Sequence, residues 1–241
     1  MGFFGLFGKN TPTEKQIAKQ VTRLKEQYAK PEYRQMAMDK LFEWGNRECL
    51  VALLNRFKVV VQSPHWDEQE KRWLVDELVK RGDIAKSVLH DFVMTENEVT
   101  YAILAISQLY TEAELVTLLK QALLARPPED HRSSESKIEL IAALEEHDLP
   151  DLGNLLIPYL EDHHDDVQCI TLDVLSKKEA KLAYPKIISM LAKDTHSARV
   201  LRHTASKVSA LGMELPAGQT LSPEVAEDFE IKGGKLLARH A

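Results

Sequence analysis

The sequence predicts an all-α protein built as an array of stacked helix pairs, and three observations predict it. The segment from Leu41 through Trp44, Gly45 and Cys49 to Leu54 aligns without a gap to the segment from Ile106 through Leu109, Tyr110 and Ala113 to Leu119. The offset of 106 − 41 = 65 residues is about two repeat units. Candidate helices carry apolar residues three and four apart, as at Leu74 and Leu78 and then at Ile84 and Val88. One face of each must therefore be covered by a neighbour. No β-rich alternating segment competes, since even the apolar run Leu115 to Leu124 is dominated by Leu, Ala, Lys and Gln, which favour helix.

Taken in order, Thr13-Glu14-Lys15-Gln16 has the form of a capping box. Ile17, Val21, Leu24 and Tyr28 then make a stripe on an amphipathic helix that ends near Pro31. Helix pairs follow at roughly 33–61, 67–97, 98–126, 135–162 and 165–194, with a closing helix at about 197–211. Within them Phe57-Lys58-Val59-Val60-Val61 has the weakest helical character. Gly45-Asn46 and Gly82-Asp83 suit helix ends that need a left-handed residue and a fresh cap. The segments Tyr159 to Val167 and Met190 to Val200 share an apolar helix end, a polar turn and a new helix. Beyond the array, Pro216-Ala217-Gly218 reads as a linker, Ser222-Pro223-Glu224 as a short helix start and Gly233-Gly234 as a hinge before a loose tail. The domain reading is thus 1–30 (apolar segment and basic helix), 31–212 (repeat array) and 213–241 (linker, short helix, tail).

Leu191-Ala192-Lys193-Asp194, followed by Val200, Ala205, Val208 and Leu211-Gly212, resembles a HEAT repeat, in which an Asp turn precedes the helix. The resemblance spans roughly residues 33–212, and Asp194 with Arg199 matches the family's Asp and Arg pattern best; several units lack one or both. It implies a right-handed α-solenoid of about five to six HEAT-like helix pairs. It speaks weakly for function, because HEAT-like arrays serve as scaffolds, adaptors, transport factors and occasionally enzymes.

Composition narrows the function classes. At 241 residues, 44% hydrophobic and 28% charged, the chain is an ordinary globular protein. Cys49 and Cys169 lie in apolar helical stretches, away from other Cys or His at metal-ligand spacing, and read as core thiols of a reducing compartment. No apolar run reaches membrane-spanning length, and the opening Met1 to Gly8 lacks the basic start and cleavage site of a leader. The expected location is the cytoplasm, with peripheral contact at the inner membrane surface as an option. The net charge of −6 argues against nucleic acid as a partner. Residues 1–30 carry six Lys or Arg against two Glu, a net of +4, so the remainder carries −6 − 4 = −10.

Two groups of residues are candidate sites. Phe3, Phe4, Leu6 and Phe7 stand just ahead of the basic helix. They would cap the first repeat, anchor the chain at an anionic membrane or hold a protein partner. Glu161, Asp162, Asp165 and Asp166 belong to an acidic stretch, 145–166, that contains no Lys or Arg. They are either solvated helix starts or a docking edge for a basic segment. His163 and His164 beside them do not recur at metal-ligand spacing, and no metal or cofactor is expected. No Gly-rich phosphate loop, HExxH, GxSxG or CxxC occurs. The expectation is a non-catalytic, cytoplasmic protein-binding scaffold or adaptor of unknown partner. The alternatives are a HEAT-like enzyme, glycosylase-like or chromophore-lyase-like, or a membrane-peripheral scaffold. For a glycosylase the relevant basic residues would be Lys177, Lys178, Lys181, Lys186, Arg199, Arg202 and Lys207.

Overall fold

A computed structural model describes residues 11–178, 180–192 and 195–239. Among the described residues the protein is all-α apart from one hairpin, and its chain divides into two compact units, Met1–Leu118 and Leu119–Ala241.

In the first unit α1 (Glu14–Leu24) opens on the capping box expected from its sequence: Thr13 Oγ1 accepts the Gln16 N–H while Gln16 accepts the Thr13 N–H. Helices α2 (Pro31–Trp44) and α3 (Arg47–Leu53) form the first pair, and α1 packs across both. Gly45 ends α2 in the left-handed region at φ +64°, donating its N–H to the Leu41 carbonyl. Asn46 then caps α3 by accepting the Cys49 N–H. A single 3-10 turn, Leu54–Arg56, leads out of α3, so residues 57–61 are not helical. Their three β-branched valines are poor helix formers, and the chain uses Phe57, Val59 and Val61 as buried plugs instead.

The pair α4 (Pro64–Val79) and α5 (Asp83–Thr95) follows, then α6 (Thr100–Ile106) and α7 (Glu112–Leu124), within which the division between units falls. Helix α4 packs on α2, α5 and α6, and α3 packs on α5. The covered stripe of α5 is Ala85, Val88, Leu89, Phe92 and Val93, whereas Ile84 remains 41% exposed. Each buried Leu, Val or Phe of these stripes contributes about 1.5–3 kcal/mol by leaving water.

In the second unit α8 (Ser134–Glu145) and α12 (Ala198–Ala210) both pack on α10 (Asp165–Lys177), while α9 (Leu152–Leu156) and α11 (Tyr184–Met190) are short. Ser197 caps α12 and Ser222 caps α13 (Pro223–Asp228). The expected loose tail is instead an antiparallel hairpin, β1 (Phe229–Lys232) and β2 (Lys235–Ala238). Gly233-Gly234 is its two-residue turn, with φ of 58° and 73°. Two successive positive φ values match the twist of the flanking strands, which explains why the pair is glycine. Leu236 is buried, and β2 packs on α12.

Candidate functional site

A hollow of the first unit lies between the start of α2 and the first half of α4. Both helices begin with proline, Pro31 and Pro64, whose fixed φ suits a first helical turn. On α4, Trp66, Gln69, Glu70 and Trp73 recur at three, four and seven residues, so they share one face. On α2, Pro31 and Gln35, and Glu32 and Met36, are each four residues apart and complete the facing wall. Together these eight side chains line a groove of about 340 Å³. Trp66 is 41% and Met36 64% exposed, and Trp73 is held edge-on against Phe42 at 5.7 Å. No Lys or Arg lines the groove, and among the described residues no cation pairs with the exposed rim carboxylate of Glu32.

Behind the groove sits a buried ionic network. The Glu70 carboxylate accepts both arms of the Arg34 guanidinium, with Nη2 at 2.7 Å and Nε at 2.9 Å, and Arg56 Nε at 2.8 Å. Arg56 Nη2 also donates to Asp67 at 2.8 Å, and Lys71 pairs with Asp67 at 2.7 Å. Three cations therefore face two carboxylates. The surplus positive charge rests on backbone carbonyls: Arg34 Nη1 donates to those of Glu26 and Ala29, and Arg56 Nη1 to that of Val59. Burial pushes the Asp67 carboxyl up, but hydrogen bonds from Lys71, Arg56 and the Val61 N–H outweigh it and hold the group below its usual range. Beside it, burial pushes the Tyr101 phenol up to about 12, and its hydrogen bond to the Glu68 carboxylate acts in the same direction. The network ties the Glu70 side chain of the groove to α2 through Arg34 and to the turn after α3 through Arg56.

The residues singled out by sequence fall elsewhere. Phe3, Phe4, Leu6 and Phe7 lie outside the described residues, as does Asp194 of the HEAT-like turn. Asp162 is not on an exposed edge: it is 2% exposed, pairs with the buried Lys137 at 2.7 Å and accepts the His164 N–H. Asp166 binds Arg199 at 2.6 Å, Asp165 accepts Ser197 Oγ, and Glu161 pairs with Lys186. His163 stacks on His131 with ring centroids 4.1 Å apart. Among the described residues no group of three His, Cys, Asp or Glu converges as a metal site does. Six of the seven basic residues considered for a nucleic-acid groove, all but Lys181, are engaged as well. Lys177 pairs with Glu145, Arg202 with Glu227 and Asp228, Lys207 with Asp173, and Lys178 donates to the His147 carbonyl. Both cysteines are buried and reduced, with burial pushing each thiol up. Among the described residues no helix is long and apolar enough to cross a membrane.

Sequence reasoning missed the groove because its two walls come from different helices. The i, i+7 pair Trp66 and Trp73, flanking an otherwise ordinary helix face, was the available signal.

No family model matches the chain, and no curated protein does. Among solved structures it is similar to human deoxyhypusine hydroxylase in complex with glycerol, at 15% identity over 82% of this chain and 85% of that one. The TM-score is 0.31, so the likeness assigns no activity here. The expectation of a non-catalytic protein-binding scaffold is corrected by this finding, since the matched protein is by name an enzyme.

Proposed function

We propose that the first unit, one half of a HEAT-like helical array, binds an organic cation: an alkylammonium group on a small apolar body, seated between Trp66 and Trp73. The observation that carries this reading is the lining of the groove, two indoles with Met36 and Pro31, an unpaired Glu32 on the rim and no cation of its own. An indole face attracts a cation through its quadrupole, by about 0.5–1 kcal/mol when exposed and about 2 kcal/mol when water is excluded. Glu32 adds a counter-charge that a neutral ligand would not use. The Arg34, Arg56 and Glu70 network makes the floor rigid, which limits the ordering cost of binding. A pocket of this kind serves an enzyme's substrate as readily as a carrier's ligand, so it does not revive the scaffold reading.

All three tryptophans, Trp44, Trp66 and Trp73, lie in the first unit, so their fluorescence reports on it alone. The test is a fluorescence titration with choline and with its neutral isostere 3,3-dimethylbutanol. Choline is expected to bind about five- to thirty-fold more tightly, the factor equivalent to about 1–2 kcal/mol. Glu32→Gln is expected to reduce that preference. Equal responses to the two probes, or none to choline at millimolar concentration, would refute the assignment.

A further inference from the structure

The outer face of α1 carries Lys15 and Lys19 four residues apart, and Arg23 continues the row. Both lysines are exposed, and among the described residues no carboxylate pairs with either. The inner face is committed: Leu24 and Gln20 are buried where α1 packs on α2 and α3. The helix therefore lies along the unit with its positive row turned to water.

The row leads to aromatic side chains. The Arg23 guanidinium sits over the Tyr33 ring, 5.2 Å from its centroid, and Tyr33 is 42% exposed. Tyr28, 82% exposed, stands on the loop between α1 and α2. That loop is anchored from beneath, because the buried Arg34 guanidinium holds the Glu26 and Ala29 carbonyls and the Gln62 N–H donates to the Gln27 carbonyl. Tyr28 is thus presented to solvent by a fixed loop.

We infer that this face docks on an anionic lipid bilayer, with the lysines at the headgroups and Tyr28 in the interfacial layer. Tyrosine favours that layer because its ring is apolar and its hydroxyl is wet. Basic side chains are drawn to an anionic leaflet at close range. Residues 31–241 carry −10, so the positive row on α1 is set against an acidic remainder of the chain.

The test uses the full chain and flotation with phosphatidylcholine vesicles containing about 30% phosphatidylserine, in about 0.1 M salt. Wild type is expected to float with these and not with pure phosphatidylcholine. The double variant K15E/K19E, which leaves the packed side of α1 and the tryptophan fluorescence untouched, is expected to bind at least about thirty-fold more weakly, and Tyr28→Ser several-fold more weakly. Flotation unchanged in K15E/K19E overturns the inference. So do equal binding to neutral vesicles, no flotation by wild type, or retention on heparin without flotation.

Discussion

Replacing Glu70 by Gln keeps the size of the side chain and removes its charge from the centre of the first unit. Glu70 is 4% exposed and Arg34 and Arg56 are 1% and 0% exposed, so neither guanidinium can turn to water when the carboxylate goes. The charge balance falls from three cations against two carboxylates to three against one, and the bidentate Arg34 fork loses one acceptor arm to an amide N–H₂. Breaking a buried pair on one side costs about 3–5 kcal/mol, because the remaining charge stays desolvated. Against a total of about 5–15 kcal/mol for a domain, that is a large fraction. With a urea slope near 2 kcal/mol/M, the unfolding midpoint should fall by about 2 M. Tryptophan fluorescence follows the unit that carries the change. The control is the cycle with Arg34→Met, in which the double variant should be less damaged than the sum of the singles by about 1–3 kcal/mol. A loss under about 1 kcal/mol for Glu70→Gln, or strict additivity in the cycle, would show that water reaches the network and that the groove has no rigid floor.

Acid should act on the same unit through Asp67. Its folded carboxyl titrates below the ordinary value of 3.8, so its stabilisation is complete above about pH 4 and is lost as pH falls through the depressed folded value. Asp67→Asn should therefore cost stability at neutral pH and flatten the acid limb, read as urea midpoint against pH; parallel limbs for variant and wild type would contradict this. In the second unit, Lys137→Met leaves the Asp162 carboxylate buried without its counter-ion, with only the His164 N–H to hold it, at about 3–5 kcal/mol. Asp162→Asn should cost less, because Lys137 keeps the Asp130 carbonyl at 2.9 Å as an acceptor, and far-UV circular dichroism would reveal the opposite order if it holds. Gly45→Ala places a methyl 3.1 Å from the Phe42 carbonyl oxygen and 3.2 Å from the Arg81 guanidinium at φ +64°, and should cost about 1–2 kcal/mol of first-unit stability. An unchanged fluorescence midpoint would mean the turn relaxes freely.

What could be read from the sequence was what depends on neighbours along the chain. Helix positions came from the apolar spacing, and the α1 start from Thr13 and Gln16, because periodicity and caps act within a turn or two. The same local reading failed where two local meanings compete. Gly233-Gly234 fits a hinge as well as a hairpin turn, and only the burial of Leu236, where β2 packs on α12, decides between them. The spacing of Ile84 and Val88 put Ile84 on the covered stripe, whereas in the fold Ala85 is buried and Ile84 is exposed.

Charges were the least legible, because partners far apart in sequence set their state. Arg34 and Glu70 lie 36 residues apart, and Lys137 and Asp162 lie 25 apart. In the sequence Asp162 is one of a run of acids, indistinguishable from its exposed neighbours. In the fold it is the one of the four candidate acids that is buried, and the row divides into one buried counter-ion and several surface contacts. The groove follows the same logic: Trp66 and Trp73 share a helix face, but a wall needs α2 opposite, and that pairing is set by the Arg34 and Glu70 contact that joins the two helices from within. The ionic network thus holds in register the two helices between which the candidate ligand would sit, so a change that loosens the network should weaken binding before it unfolds the unit.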